Sequence, residues 1–484
     1  MTKLTRRVFL RHSGSTIVLA AAAPDLSKVG WYDEVRVAVV GLRGRGADHV
    51  EALRKLAGVR VTALVDVDQK VLAAAAKKFA DRGEAVDTFA DVRRVLERKD
   101  IDAISIATPN HWHALQAIWA CQAGKDVYVE KPVSHNVWEG AQLVAAARKY
   151  GRIVQAGTQC RSSHGIADGI AWVAAGHLGK ITLARGLCYK PRPSIGKVAG
   201  PQAVPAHVDF DLWTGPAPRR ELRRKNLHYD WHWDFDTGNG DVGNQGIHQM
   251  DLARWALGES GLPARTVSVG GRLGYDDDGN TPNSQIVWHD YAKAPLLFEV
   301  RGLPRDTQAQ AGDWGKGMDA FLGARIGVIV HCEGGTLRIP DYVRAIAHDQ
   351  DGKEIRRFEG ATDHFANFIA AVRSRKVADL RGEVQEGHVS SALCHLGNIS
   401  HRLGTPQPGT AITAALAGHA GAAEAADRLA THLVGNGVDL AKTPLQLGSL
   451  LTLDGQGGRF IGNAGADALA TRAYRAGFEV PATV

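Results

Sequence analysis

Between residues 35 and 157 the chain alternates strand-length apolar runs with helical stretches joined by short turns, and few folds accept that rhythm. Residues 35–40 (VRVAVV) form the first run. The turn Gly41-Leu42-Arg43-Gly44-Arg45-Gly46 follows, then a helix whose apolar face repeats through Val50, Leu53 and Leu56. Residues 59–65 give a second strand ending in Asp66, and residues 103–107 a third, followed by Thr108-Pro109-Asn110. Residues 126–129 give a fourth, ending in Glu130-Lys131-Pro132, and residues 153–157 a fifth. Strands that alternate with helices must run parallel, and a parallel sheet needs helices on both faces. Residues 32–160 are therefore expected to form a doubly wound Rossmann domain.

The first turn carries chemistry. Gly41 allows a tight turn, and Gly44 and Gly46 let backbone N–H groups approach a pyrophosphate at a helix N-terminus. The spacing is G-x-x-G-x-G, with Arg43 where the usual pattern has its second glycine. An acid about 20 residues further on suits a ribose diol, and Asp66 stands there at the end of the second strand. Its negative charge would repel a 2′-phosphate and favours NAD. Arg43, Arg45 and Lys70 are close enough in sequence to soften that preference, so NADP stays open.

After Gln159 the texture changes. Strand-like runs at 181–190, 266–273, 284–288, 296–300 and 327–332 lack a helix after each, which points to an open, largely antiparallel sheet over residues 161–403. A Pro-rich loop spans 191–218, and residues 365–372 and 384–403 read as amphipathic helices. Beyond Gly404 the chain is a Gly/Ala-rich extension to residue 484 without a repeat.

These motifs, in this order, resemble the Gfo/Idh/MocA family of oxidoreductases. The residues that carry the resemblance are the glycine turn, Asp66, Ala107-Thr108-Pro109-Asn110, Glu130-Lys131-Pro132, and residues 244–251 (NQGIHQMD). The resemblance implies a Rossmann domain followed by an open-sheet substrate domain, with the active site between them. It implies that Thr108, Pro109, Asn110, His113, Glu130, Lys131 and Gln159 border the cofactor. Lys131, at the carboxyl end of a parallel strand, would stabilise charge developing on a reacting oxygen. His248 would carry the proton, its ordinary pKa near ~6.5 serving both directions. Relatives often have aspartate four residues before this histidine. Here Asn244 stands there, able to orient a hydroxyl but not to add charge. Trp231, His232 and Trp233, in an aromatic-polar segment (228–235), and Asp251 are assigned to a sugar-like substrate. The same segment, with His228, Asp230, His232 and Asp234, has a metal-ligand alternative, but no further ligand set has convincing spacing, so no metal is expected.

Thr5-Arg6-Arg7-Val8-Phe9-Leu10-Arg11 and the small apolar run at 14–23 resemble a twin-arginine export signal over residues 1–31, which predicts a periplasmic or otherwise exported protein. That run is too short to span a bilayer, so no membrane span is expected after processing. The net charge of +7 falls to +3 without Lys3, Arg6, Arg7 and Arg11, too little and too scattered to suggest nucleic acid. Cys121, Cys160, Cys188, Cys332 and Cys394 are odd in number and widely spaced, and suggest neither a zinc pattern nor a disulfide framework. A homo-oligomer is expected by analogy with the family. Three functions compete. The first is net oxidation of a sugar, glycoside or cyclitol hydroxyl with retained cofactor. The second is a redox-neutral glycosidase or lyase that borrows and returns the electrons, and the third a non-catalytic carbohydrate-binding shell.

Overall fold

The structure, a computed structural model, describes residues 34–454 and 459–484. The candidate export signal lies outside the described residues. Six parallel strands, β1 (Val35–Val40), β2 (Val59–Val65), β3 (Asp87–Phe89), β4 (Ala103–Ile106), β5 (Asp126–Val129) and β6 (Val154–Ala156), form one sheet in the order β3-β2-β1-β4-β5-β6. The order reverses between β1 and β4, and ligands of such sheets bind at the carboxyl ends of the strands flanking that point. β1, β4 and β5 are buried on both faces, as their mostly apolar sequences require. Short polar residues start the covering helices. Asp68 accepts the N–H groups of Lys70 and Val71, and Asn136 that of Glu139. β3 adds an edge strand to the five runs legible in the sequence.

The second sheet contains β7 (Ile181–Tyr189), β8 (Arg265–Gly271), β9 (Ser284–Asp290), β10 (Leu296–Arg301), β11 (Ile326–Cys332), β12 (Gly335–Ile339), β13 (Arg344–His348), β14 (Glu354–Glu359) and the short β15 (Thr405–Pro406), β16 (Gln446–Leu447) and β17 (Leu451–Thr452). Its order is β14-β13-β12-β11-β7-β10-β9-β8-β16-β15, with β17 also on β8. Every pairing is antiparallel except β7 with β10. A parallel-sheet lobe followed by an open, mostly antiparallel one is the architecture the sequence implied.

Helices Gly246–Leu257 and Val384–Arg402 pack on the inner face of this sheet, around Ile247, Met250, Leu393, Phe298 and Val330. The stretch beyond 404 is built into both lobes. Helices Gly409–Leu416 and Ala422–Gly435 cover the outer face, with Ile412, Leu429 and Leu433 against Val269, Ile286 and Leu297. The last residues cross back to the Rossmann lobe, where Phe478 and Val480 pack with Trp112 and Ile118. Helix His364–Ser374 also returns there, and the Phe365 ring stacks on Tyr128 at 4.5 Å.

Among the described residues no helix is long and apolar enough to cross a membrane. All five cysteines are free thiols, four of them buried.

Candidate active site

A cavity of about 790 Å³ opens where the strand order reverses and runs towards the second sheet. Its nucleotide end is made by backbone. Gly41 has φ of +81°, and a Cβ there would meet the Ala107 carbonyl oxygen at 2.8 Å. A Cβ on Gly46 would lie 1.7 Å from the Gly41 carbonyl oxygen, so helix Arg45–Arg54 can sit this close to the turn only with glycine. Gly44 caps that helix without a side-chain bond, and the N–H groups of Gly46, Ala47 and Asp48 turn back to the carbonyl oxygens of Arg43 and Gly44. Gly46 itself lies behind the cavity wall.

Asp66 ends β2 and accepts the N–H groups of Leu42 and Asp68, each at 2.9 Å. Burial pushes its carboxyl up, against those two bonds. Of the cations near it in sequence, Arg45 turns away to Glu130, 2.7 Å from its Nε. Arg43 lines the cavity, exposed.

Glu130 is the anchor of the floor. Its carboxylate takes Arg45, His49 at 3.1 Å and Gln159 at 3.0 Å, and a Cβ on Gly157 would press against it at 2.8 Å. Although burial opposes ionisation, the His49 hydrogen bond and the Arg45 charge hold this group well below the usual carboxylate range. Thr108 and Pro109 also line the cavity, and Thr108 donates to Gln116. Asn110 begins helix Asn110–Gln122 and donates to Asn239 at 3.0 Å. His113 lies between the carbonyl oxygens of Pro132 (2.6 Å) and Thr108 (2.7 Å), joining the turns after β4 and β5.

Lys131 and His248 line the same cavity, one from each lobe. Lys131 Nζ donates to the Asn244 carbonyl oxygen at 2.6 Å, at the end of helix Gly240–Asn244. Burial lowers the Lys131 pKa, partly offset by Glu130. His248, in the first turn of helix Gly246–Leu257, is buried, and its Nδ1 has no hydrogen-bond partner among the described residues. The expectation of an ordinary histidine pKa is corrected here. Burial first, and the Lys131 charge second, push it down to about 3, so the ring is neutral over the physiological range.

Of the aromatic segment, Trp231 and His232 reach the cavity, stacked with ring centroids 3.6 Å apart. Two substrate assignments do not stand. Trp233 points away from the cavity and is covered by the Arg192 guanidinium, 5.0 Å from its ring centroid. Asp251 is 1% exposed, its oxygens held by Arg161 at 2.8 Å and Ser390 at 2.6 Å, so it braces the helix under His248 instead. The histidines of the metal alternative are spent as well, His228 on Asp68 at 2.8 Å and His232 on the Tyr229 carbonyl at 2.6 Å. Among the described residues no group of three or more His, Cys, Asp or Glu could hold a metal ion.

Three polar residues at the substrate end of the cavity had no role assigned from the sequence. Lys190 follows β7 and donates to Gln245 Oε1 at 3.2 Å. Gln245 in turn donates to the Tyr342 hydroxyl at 3.1 Å. Tyr342, between β12 and β13, sets its ring 5.2 Å from that of His248. Burial pushes its hydroxyl up to about 12, so it stays a proton donor.

Residues 35–158 match the oxidoreductase family described as an NAD-binding Rossmann fold, and residues 176–292 match its C-terminal alpha/beta domain. Glycosyl hydrolase family 109 protein 1 of Shewanella sp. (strain MR-4) is 38% identical over 120 residues, 24% of this chain and 26% of that protein. The chain thus matches about a quarter of the length of such curated relatives. Among solved structures, the WlbA dehydrogenase from Bordetella pertussis in complex with NADH and UDP-GlcNAcA superposes with a TM-score of 0.55 at 18% identity. That match covers 76% of this chain and 97% of WlbA. An oxidoreductase domain protein from Kribbella flavida gives 0.54 at 20% identity, covering 75% and 96%. These structural likenesses show the fold. The two consecutive family matches, on the two lobes that wall the cavity, establish that the chain belongs to the NAD-binding Gfo/Idh/MocA oxidoreductase family.

Proposed function

We propose that this chain oxidises a hydroxyl of a sugar, glycoside or cyclitol, holding NAD tightly in the cavity at the head of the parallel sheet. The observation that carries the reading is the meeting of an ammonium (Lys131) and a neutral, unpartnered imidazole (His248) in the cavity that begins at the glycine turn. The residues fit the cofactor: the glycine turn Gly41 to Arg45, which lines the cavity without bulky side chains at Gly41 and Gly44, suits a pyrophosphate, and Asp66 a ribose diol. NAD, when bound, supplies two-electron redox chemistry at a carbinol carbon.

The protein's own part is proton and charge management. His248 is neutral, the only form that can take the hydroxyl proton, although burial weakens it as a base, and its orphaned Nδ1 is a nitrogen that a substrate could engage. Lys131 holds an N–H beside the oxygen on which negative charge grows. Asn244 fixes Lys131 through its backbone carbonyl rather than acting on the histidine by charge. Trp231 and His232 offer a stacked apolar surface to a ring face.

A second reading has a specific observation behind it. The curated relatives matched over about a quarter of the chain are named as glycosyl hydrolases, which favours redox-neutral cleavage of a glycoside by the same residues. Incubating purified protein with p-nitrophenyl glycosides and no added NAD separates the two: a keto-sugar product supports net oxidation, and free p-nitrophenol supports cleavage. Mass spectrometry of cofactor released on denaturation tests both, and a preparation that neither carries nor binds NAD overturns them. Export by the twin-arginine route is part of the proposal, since it makes a retained cofactor necessary where free NAD is scarce.

A further inference from the structure

Two ammonium groups face the substrate end of the cavity, and neither has a carboxylate partner among the described residues. Lys131 is bonded to a neutral carbonyl at 2.6 Å and Lys190 to a neutral amide oxygen at 3.2 Å. They stand close enough for the Lys190 charge to disfavour that of Lys131. Glu130, the nearby acid, is consumed by Arg45, His49, Gln159 and the Lys131 N–H. The other acids on the wall, Asp66 and Asp91, belong to the nucleotide end, where they follow β2 and cap helix Val92–Leu96.

Two further features point the same way. Gln245 stands at the N-cap of helix Gly246–Leu257 without capping it: its side chain accepts from Lys190 and donates to Tyr342 and, at 3.5 Å, to Gln249. That helix begins directly after helix Gly240–Asn244, so Gln245 sets the Lys190 contact beside its first turn. Inside that first turn, His248 Nδ1 is buried without a partner. Like charges on one cavity wall repel one another unless an anion joins them.

We infer that the substrate carries an anionic group, a carboxylate or a phosphate, near the carbinol it presents to His248, and that Lys190 reads that group. The inference rests on the oxidoreductase reading for the carbinol, while the anion preference stands on the charges alone. Trp231 and His232 then serve the ring, and Gln245 holds Lys190 in place while the site is empty of substrate. Neutral sugars would leave both ammonium groups uncompensated, which gives discrimination rather than mere affinity.

The test uses full-length, NAD-loaded protein and calorimetric titration with D-glucuronate, D-galacturonate, D-glucose 6-phosphate, D-glucose and D-galactose. At least one anionic probe should bind about tenfold or more tighter than its neutral counterpart, the size expected of one charged hydrogen bond. Whether a uronate or the phosphate leads identifies the group. The advantage should fall to about twofold or less in Lys190→Met and return in Lys190→Arg, with NAD affinity unchanged in both. Equal affinities for acid and neutral sugars, an advantage that survives Lys190→Met, or no saturable binding of any probe overturns the inference. Failure of the oxidoreductase reading looks different. NAD would then stay oxidised with every sugar while the Lys190-dependent preference persists.

Discussion

Acid should unfold this protein steeply, because burial disfavours the protonated form of several of its histidines while folded. His248, His289, His388, His395, His401 and His432 are all buried. Ring nitrogens of five of them lack any hydrogen-bond partner among the described residues, both nitrogens in the case of His432. Burial pushes His248, His289 and His395 down to about 3, and His388, His401 and His432 to about 4. In the unfolded chain each returns to the ordinary value of ~6.5. The folded value is the lower one, so between the two the unfolded state binds more protons, and stability falls as pH falls. At pH 5 six extra protons give a slope of about 8 kcal/mol per pH unit, and the summed loss from pH 7 to pH 5 is about 11 kcal/mol. A folded domain has only about 5–15 kcal/mol to lose. Guanidinium unfolding followed by tryptophan fluorescence at pH 7, 6 and 5 should show the midpoint collapse towards zero. His432→Leu should remove about one sixth of the dependence. A midpoint that stays constant from pH 7 to pH 5 refutes the argument.

Three other outcomes are expected. Lys131→Met should lower kcat about 10²–10³-fold with NAD affinity unchanged, the loss typical of one donor to a developing oxyanion; full activity by cofactor-reduction assay would remove Lys131 from the chemistry. Gly46→Ala places a methyl 1.7 Å from the Gly41 carbonyl oxygen. It should therefore weaken NAD binding and cost about 1–3 kcal/mol of stability, and an unchanged NAD titration and thermal melt would show that the helix yields freely. Replacing Arg6 and Arg7 by Lys in a reporter fusion of residues 1–31 should block export, and export that continues would refute the twin-arginine reading.

What could be read from the sequence follows from what each signal depends on. β1, β2, β4 and β5 were legible because strands of a sheet covered on both faces leave mostly apolar runs, broken only by single polar residues such as Arg36 and Arg60. β3 was not, since Asp87-Thr88-Phe89 is three residues on an edge without such a run. The cofactor turn was legible because glycine at positive φ has few substitutes. Position along a helix was less informative: His248 and Asp251 lie one turn apart, and only the packing of Arg161 and Ser390 on that helix decides which faces the cavity. Lys190 and Tyr342 come from segments with no motif and meet only because β7 and the β12–β13 connection end at the same wall. The protonation state of His248 depends on water exclusion by both lobes, which local sequence does not encode. Beyond Gly404 an Ala-rich composition hid regular structure, although Ala425, Leu429 and Leu433 recur at helical spacing.

The course of the last twenty residues bears on how the nucleotide comes and goes. Ala466 is seated against helix Val384–Arg402, while Phe478 and Val480 are buried beside Trp112 on the nucleotide-side helix. Arg475 grips the carbonyl oxygens of Asp211 and Gly215, and Trp112 donates to those of Leu212 and Trp213, which wall the cavity. This tail works as a lashing between hinge halves, so spreading them apart means peeling it off its anchors. If exchange of the nucleotide requires the lobes to spread, it should follow the slow clock of partial unfolding rather than the fast one of a swinging flap, as the tight hold on NAD proposed above requires.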